Sequence, residues 1–194
     1  MSNVILESPR GPVAIPLDDQ LMNQRCLFLT EAVDCKSMTL LIKQVKYLDS
    51  REGDGGEEIT LYINSPGGGV TSGLALYDVL TSCKSPIRTV CIGDAASMGA
   101  ILFLAGEKRE MLPHTRLMIH DPSFWNLNVD GKKPHELRQE VDSLERTKNT
   151  LAEIIAEKTG KSLKEVCKVT ANDTYFTAEE AIKFGLATDI CKGV

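Results

Sequence analysis

The sequence predicts an α/β fold in which largely parallel strands are covered by helices, and three observations carry that reading. Short apolar runs at 26–29 (CLFL), 59–64 (ITLYIN) and 87–93 (IRTVCIG) alternate with segments of helical periodicity. Glycine-rich turns follow the second and third runs, SPGGG after ITLYIN and GDAASMG at the end of IRTVCIG. The alternation continues to the end of the chain without a linker or internal repeat, so one domain spanning 1–194 is expected.

The first 25 residues hold three prolines and little periodicity, and an extended or mobile arm is expected there. After CLFL, residues Met38, Leu41, Ile42, Val45 and Leu48 share one helical face. DSREGDGGEE is a polar connection into ITLYIN. A second helical pattern runs through Leu74, Tyr77 and Leu80, and the apolar run AILFLAG after GDAASMG predicts a buried helix. Short strands are expected near REMLP and RLMIH. Beyond a polar segment containing Phe124 and Trp125, the positions Leu137, Val141, Leu144, Leu151 and Ile155 mark a long amphipathic helix over about 134 to 158. Ser162 with Glu165 and Thr177 with Glu180 are capping boxes, and Gly160 and Gly185 are placed to stop the preceding helices.

At 42% hydrophobic and 25% charged residues the composition is that of an ordinary globular chain. A net charge of -5, with lysines and arginines scattered, argues against a nucleic-acid partner. No apolar stretch is long enough to cross a bilayer and the N-terminus has no signal-peptide pattern, so no membrane association and a cytoplasmic location are expected. Cys26, Cys35, Cys83, Cys91, Cys167 and Cys191 are dispersed without a C-x-x-C pair, which fits reduced, buried thiols and neither a disulfide framework nor a zinc site. No cofactor-binding or metal-binding pattern is expected.

Three stretches offer chemistry, each with a plainer alternative. Ser97 in GDAASMG sits among small residues where a strand turns into a helix, the setting of an exposed nucleophile or of a tight packing junction. NSPGGG at 64–69 either brings backbone N–H groups close to an oxyanion or is an ordinary glycine turn, and it lacks the Lys-Ser/Thr ending of a phosphate loop. His120 ends the apolar strand LMIH before a proline turn, where it is either a general base or a structurally bonded imidazole; His114 and His135 lie in polar or turn-like surroundings. Asp173 in TANDTYFTAEEA is either the carboxylate that orients His120 or a turn residue. Together Ser97, His120 and Asp173 are a candidate triad, because a serine needs a base to become nucleophilic and the base needs an anion to fix its tautomer.

YINSPGG, GDAASMGA, LMIHDP, EKTGKSL and FTAEEAIKFGL together resemble the proteolytic subunits of ATP-dependent Clp proteases, from about Arg10 to Asp189. The resemblance implies a crotonase-like fold with a protruding handle of strand plus long helix over about 121–158. It implies Ser97 as nucleophile, His120 as general base, Asp173 as its orienting carboxylate, and the backbone N–H groups of Gly68 and Met98 as the oxyanion hole. The activity implied is that of a serine endopeptidase acting on unfolded proteins. Also implied are heptameric rings stacked in pairs around a chamber, with the long helix packing rings together. A AAA+ unfoldase of the ClpX, ClpA or ClpC type would dock on the end and use the ATP, so the subunit itself needs no cofactor.

Several positions depart from the usual pattern of that family. DPSFWNLNVDGKKP follows His120 where Gln-Pro and a glycine-rich strand are usual, which brings in Asp121, Phe124 and Trp125. Thr174 stands where an arginine usually reaches across the ring interface. Thr60, Ser82 and Glu110 replace aromatics of the unfoldase-docking notch, while Tyr62 and Leu112 remain. IPLDDQLM replaces the usual Tyr-Ser-Arg run of the arm. The alternative to an active peptidase is therefore a dormant or regulatory ring subunit that needs a sister subunit. A crotonase-like acyl-CoA enzyme shares the backbone oxyanion hole but would not require the Ser97, His120 and Asp173 set.

Overall fold

The computed structural model describes residues 2–9, 11–51, 56–124 and 128–191. Over the stretch expected to be an extended arm, β1 (Asn3–Leu6) and β2 (Val13–Pro16) pair as an antiparallel hairpin and α1 (Leu17–Asn23) follows directly. Pro16 ends β2 and stands at the N-cap of α1 with φ -56°, and the acidic residues Asp18 and Asp19 occupy the first turn, where the helix dipole favours them.

Period-two burial sets the first strand of the main sheet. In β3 (Cys26–Leu29) Leu27 and Leu29 are buried while Phe28 faces out. Next come α2 (Cys35–Ser50), β4 (Ile59–Ser65), α3 (Val70–Thr81), β5 (Ile87–Ala96) and α4 (Met98–Phe103). The predicted face of α2 is buried at Met38, Leu41, Val45 and Leu48, and its N-terminus has a capping box between Asp34 and Ser37. β3, β4 and β5 are parallel neighbours, as the βαβ alternation predicts.

The third strand runs on past the predicted end at Gly93 as far as Ala96, and this extension forks the sheet. Arg88–Cys91 of β5 pair with β6 (Lys108–Met111), whereas Asp94–Ala96 pair with β7 (Arg116–Ile119), both in parallel. The chain continues through α5 (Pro134–Thr159), α6 (Leu163–Thr170), β8 (Thr174–Phe176), α7 (Ala178–Phe184) and β9 (Asp189–Ile190). β8 pairs antiparallel with β7, and β9 extends the other branch beside β6. Both predicted capping boxes form, and Gly160 and Gly185 adopt left-handed C-caps with φ 70° and 98°.

The handle has its long helix in α5, while among the described residues between Ile119 and Pro134 no strand forms; Trp125 lies outside the described residues. α5 buries only Leu151, Ala152 and Ile155, all in its second half. Val141, on the same predicted stripe, is 46% exposed, while Leu137 and Leu144 beside it are half-buried, so the first half of the stripe is only partly covered among the described residues. All six residues of α4 are buried, and burial of Ile101, Leu102 and Phe103 contributes about 1.5–3 kcal/mol each. The cysteines divide: Cys91 and Cys191 are buried, Cys26, Cys83 and Cys167 are half-buried, and Cys35 is exposed as the first residue of α2.

Candidate active site

The fork in the sheet places Ser97. β5 ends at Ala96 and α4 begins at Met98, leaving Ser97 alone to make the turn with φ 54° and ψ -120°. A side chain other than glycine is costly in this region and persists only where its surroundings fix it. Here the Ser97 N–H donates to the Met118 carbonyl of β7 at 2.8 Å, and the Ser97 carbonyl accepts from Ala100 and Ile101 in the first turn of α4. The buried α4 anchors the far side of the turn.

The glycine turn after β4 packs against this elbow. Gly67 and Gly68 have φ 88° and 147°, and a Cβ on Gly68 would lie 2.4 Å from the Val33 carbonyl oxygen. Val33 bridges to this turn by donating to the Gly67 carbonyl at 2.8 Å and accepting from the Gly69 N–H at 2.7 Å. That pattern leaves the Gly68 N–H out of the bridge. Met98, as the first residue of α4, carries one of the amide donors that a helix N-terminus cannot satisfy internally. Ser65 pins the loop from beneath, its hydroxyl donating to the Glu31 carbonyl at 2.6 Å and accepting from the Gly67 N–H at 3.2 Å. Its role escaped the sequence reading, although its place at the end of a buried strand just before the glycines was the available signal.

His120 and Asp173 meet because of strand register. In the antiparallel pair of β7 and β8, Met118 faces Tyr175 and Ile119 faces Thr174, so one step outward sets His120 opposite Asp173. The imidazole spans the gap: Nε2 lies 2.8 Å from Ser97 Oγ and Nδ1 lies 3.2 Å from Asp173 Oδ1. Asp173 is 62% exposed and His120 23% exposed, so the set opens to solvent on the carboxylate side. His114 and His135 are exposed elsewhere. A cavity of about 20 Å³ adjoins Ser97 and His120, walled by apolar side chains including Val70, Ile101, Leu151 and Ile155. It has room for about one water.

A family model for the Clp protease matches residues 10–193. The chain belongs to the Clp protease family. This accounts for a parallel sheet with a serine at its strand-to-helix elbow, and for the peptidase chemistry expected of it.

As a Clp protease chain, it carries its departures in specific contacts. The Thr174 hydroxyl donates inward to the Val169 carbonyl at 2.8 Å, closing the turn between α6 and β8. On the sheet, Tyr62 of β4 stacks on Phe28 of the edge strand β3 with centroids 4.9 Å apart, Glu110 of β6 pairs with Arg88 of β5 at 2.5 Å, and Thr60 is buried. The sequence reading missed Phe28, which is 42% exposed; the alternation in CLFL, placing it opposite Leu27 and Leu29, was the signal.

Proposed function

We propose that this chain is a serine endopeptidase subunit that cleaves unfolded polypeptides by acyl transfer. The observation that carries the reading is the continuous line from Asp173 through both nitrogens of His120 to Ser97, with the serine at the elbow before α4. Asp173 holds the proton on Nδ1 of His120, leaving Nε2 free to accept the proton of Ser97 Oγ as the oxygen attacks a peptide carbonyl. Charge that develops on the carbonyl oxygen is met by the Gly68 and Met98 N–H groups. The imidazolium then gives its proton to the leaving amine, and an acyl-Ser97 ester remains. Water, deprotonated by Nε2, hydrolyses the ester and restores the serine.

In this proposal one domain carries all of the machinery, and the subunits assemble into stacked rings in the cytoplasm. The partly covered first half of the α5 stripe, with Val141 exposed, supports its use as a packing surface between copies. An unfoldase supplies chains and consumes ATP, and the exposed Phe28–Tyr62 stack offers an apolar contact for it. A dormant subunit is the second reading, favoured by Thr174 and by the divergent segment after His120. The serine-to-histidine distance of 2.8 Å within a single chain supports the active reading over the dormant one.

The deciding experiment is fluorophosphonate labelling of the purified protein followed by intact mass, with Ser97→Ala as control. One adduct on the wild type and none on the variant is the expected result. An unmodified wild-type protein would favour the dormant subunit.

A further inference from the structure

The residue that follows His120 is bound at three points. The Asp121 N–H donates to the Thr170 carbonyl at 2.6 Å, the Thr170 hydroxyl donates to Asp121 Oδ1 at 2.6 Å, and Lys148 Nζ lies 2.6 Å from Asp121 Oδ2. Thr170 is the last residue of α6, 3% exposed, and stands three positions ahead of Asp173. A short closed circuit results. His120 is joined to Asp121 by the chain, Asp121 to Thr170 by two hydrogen bonds, Thr170 to Asp173 by a turn, and Asp173 back to His120 across 3.2 Å.

Lys148 connects this circuit to α5. It lies one turn before Leu151, the first residue that α5 buries, and therefore at the point where the helix leaves the body of the subunit. Oδ1 and Oδ2 of Asp121 thus serve different elements, α6 and α5. A neutral side chain at this position would keep the backbone bond to Thr170 and lose the ion pair to Lys148.

We infer that Asp121, Thr170 and Lys148 form a positioning clamp that sets the distance between His120 and Asp173 and makes it depend on the seating of α5. The inference rests on the peptidase reading above for its catalytic meaning. None of the three contacts Ser97 in hydrogen-bond terms, so each acts through His120 or Asp173. Displacement of a base by about 1 Å is enough to slow a reaction by roughly a hundredfold.

The test uses the full chain with Asp121→Asn, Thr170→Val, Lys148→Met and Lys148→Arg. Two readouts are taken: the rate of fluorophosphonate reaction at Ser97, and the nitrogen resonance of His120 Nδ1 in protein made with isotope-labelled histidine. The chain has three histidines, so His120→Gln identifies the resonance. The expected result is that Asp121→Asn and Lys148→Met slow the reaction about ten- to hundredfold and move the Nδ1 resonance, while Lys148→Arg retains both. Lys148 is partly exposed, so its variants are not expected to compromise folding. Wild-type rates and an unmoved Nδ1 resonance in folded Asp121→Asn and Lys148→Met would overturn the clamp, even if their melting temperatures fell. If the wild type does not react at all, the peptidase reading fails, and the Nδ1 resonance still decides the clamp.

Discussion

A Cβ placed on Gly67 would lie 2.8 Å from the Cβ of Ser97, with the Ala96 carbonyl oxygen at 2.6 Å and the Met98 nitrogen at 2.8 Å. Two of these three neighbours are backbone atoms of the elbow itself, so they cannot rotate away. Gly67 also has φ 88°, which adds strain to any larger residue. Gly67→Ala is expected to destabilise the fold by about 1–3 kcal/mol and to slow labelling of Ser97 by about a hundredfold. Thermal melts and labelling rates on the same preparation check both, and an alanine variant that labels at the wild-type rate would contradict the close approach.

Asp173 is expected to matter for rate and little for stability. Its carboxylate is 62% exposed, so removing the charge leaves no buried group unsatisfied. Asp173→Asn should lower peptide hydrolysis by about 100- to 10,000-fold, since the amide favours the wrong imidazole tautomer, and should change unfolding free energy by less than about 0.5 kcal/mol. Steady-state kinetics on a fluorogenic peptide, set beside a denaturant titration, separate the two effects.

The sequence makes the strands, the helices and both capping boxes legible because their signals are local: period-two burial in CLFL, one helical face from Met38 to Leu48, and a serine or threonine three residues before a glutamate. Ser97, His120 and Asp173 are legible as candidates for the same reason, each at the end of an element. Their meeting is not local. It depends on the register that sets His120 one step beyond the Ile119–Thr174 pair, and on the extension of β5 to Ala96, where β7 replaces β6 as its neighbour. Asp121 was read as a departure after His120, yet its partners Thr170 and Lys148 come from helices 49 and 27 residues away, and no spacing rule connects them. The hairpin of β1 and β2 escaped because its four-residue strands bury little and carry no periodic signal.

The pair of Arg88 and Glu110 adds stability near neutral pH that acid removes. The hydrogen bond from Arg88 is the largest influence holding the Glu110 carboxyl below its ordinary 4.5, with partial burial opposing it. A carboxyl whose folded value lies below its unfolded value adds stability that is fully present above the unfolded value. That contribution is lost as pH falls through the lower, folded value. Melting temperature should therefore drop more steeply for the wild type than for Glu110→Gln as pH falls below about 4.5, and the two curves should run parallel near neutrality. Melts across that range check it; curves that stay parallel into acid would show that the pair adds nothing measurable.

Thr174 turns its hydroxyl toward its own chain, where its single proton is donated to the Val169 carbonyl at 2.8 Å, with the Asn172 carbonyl 3.2 Å away as a weaker acceptor. It is too short to bridge to another subunit, and it is the position at which an arginine usually spans the ring interface in proteins that this sequence resembles. A double ring of this subunit alone therefore lacks that contact and is expected to separate into single rings or smaller species at sub-micromolar concentration in native mass spectrometry. Thr174→Arg gives up the inward hydrogen bond at a cost of about 0.5–1.5 kcal/mol, and gains a planar donor of sufficient reach. The variant should hold the double ring to lower concentration than the wild type while melting at a slightly lower temperature. A wild-type double ring that survives dilution unchanged would mean that other contacts, with the partly exposed first half of α5 foremost, suffice to join the rings.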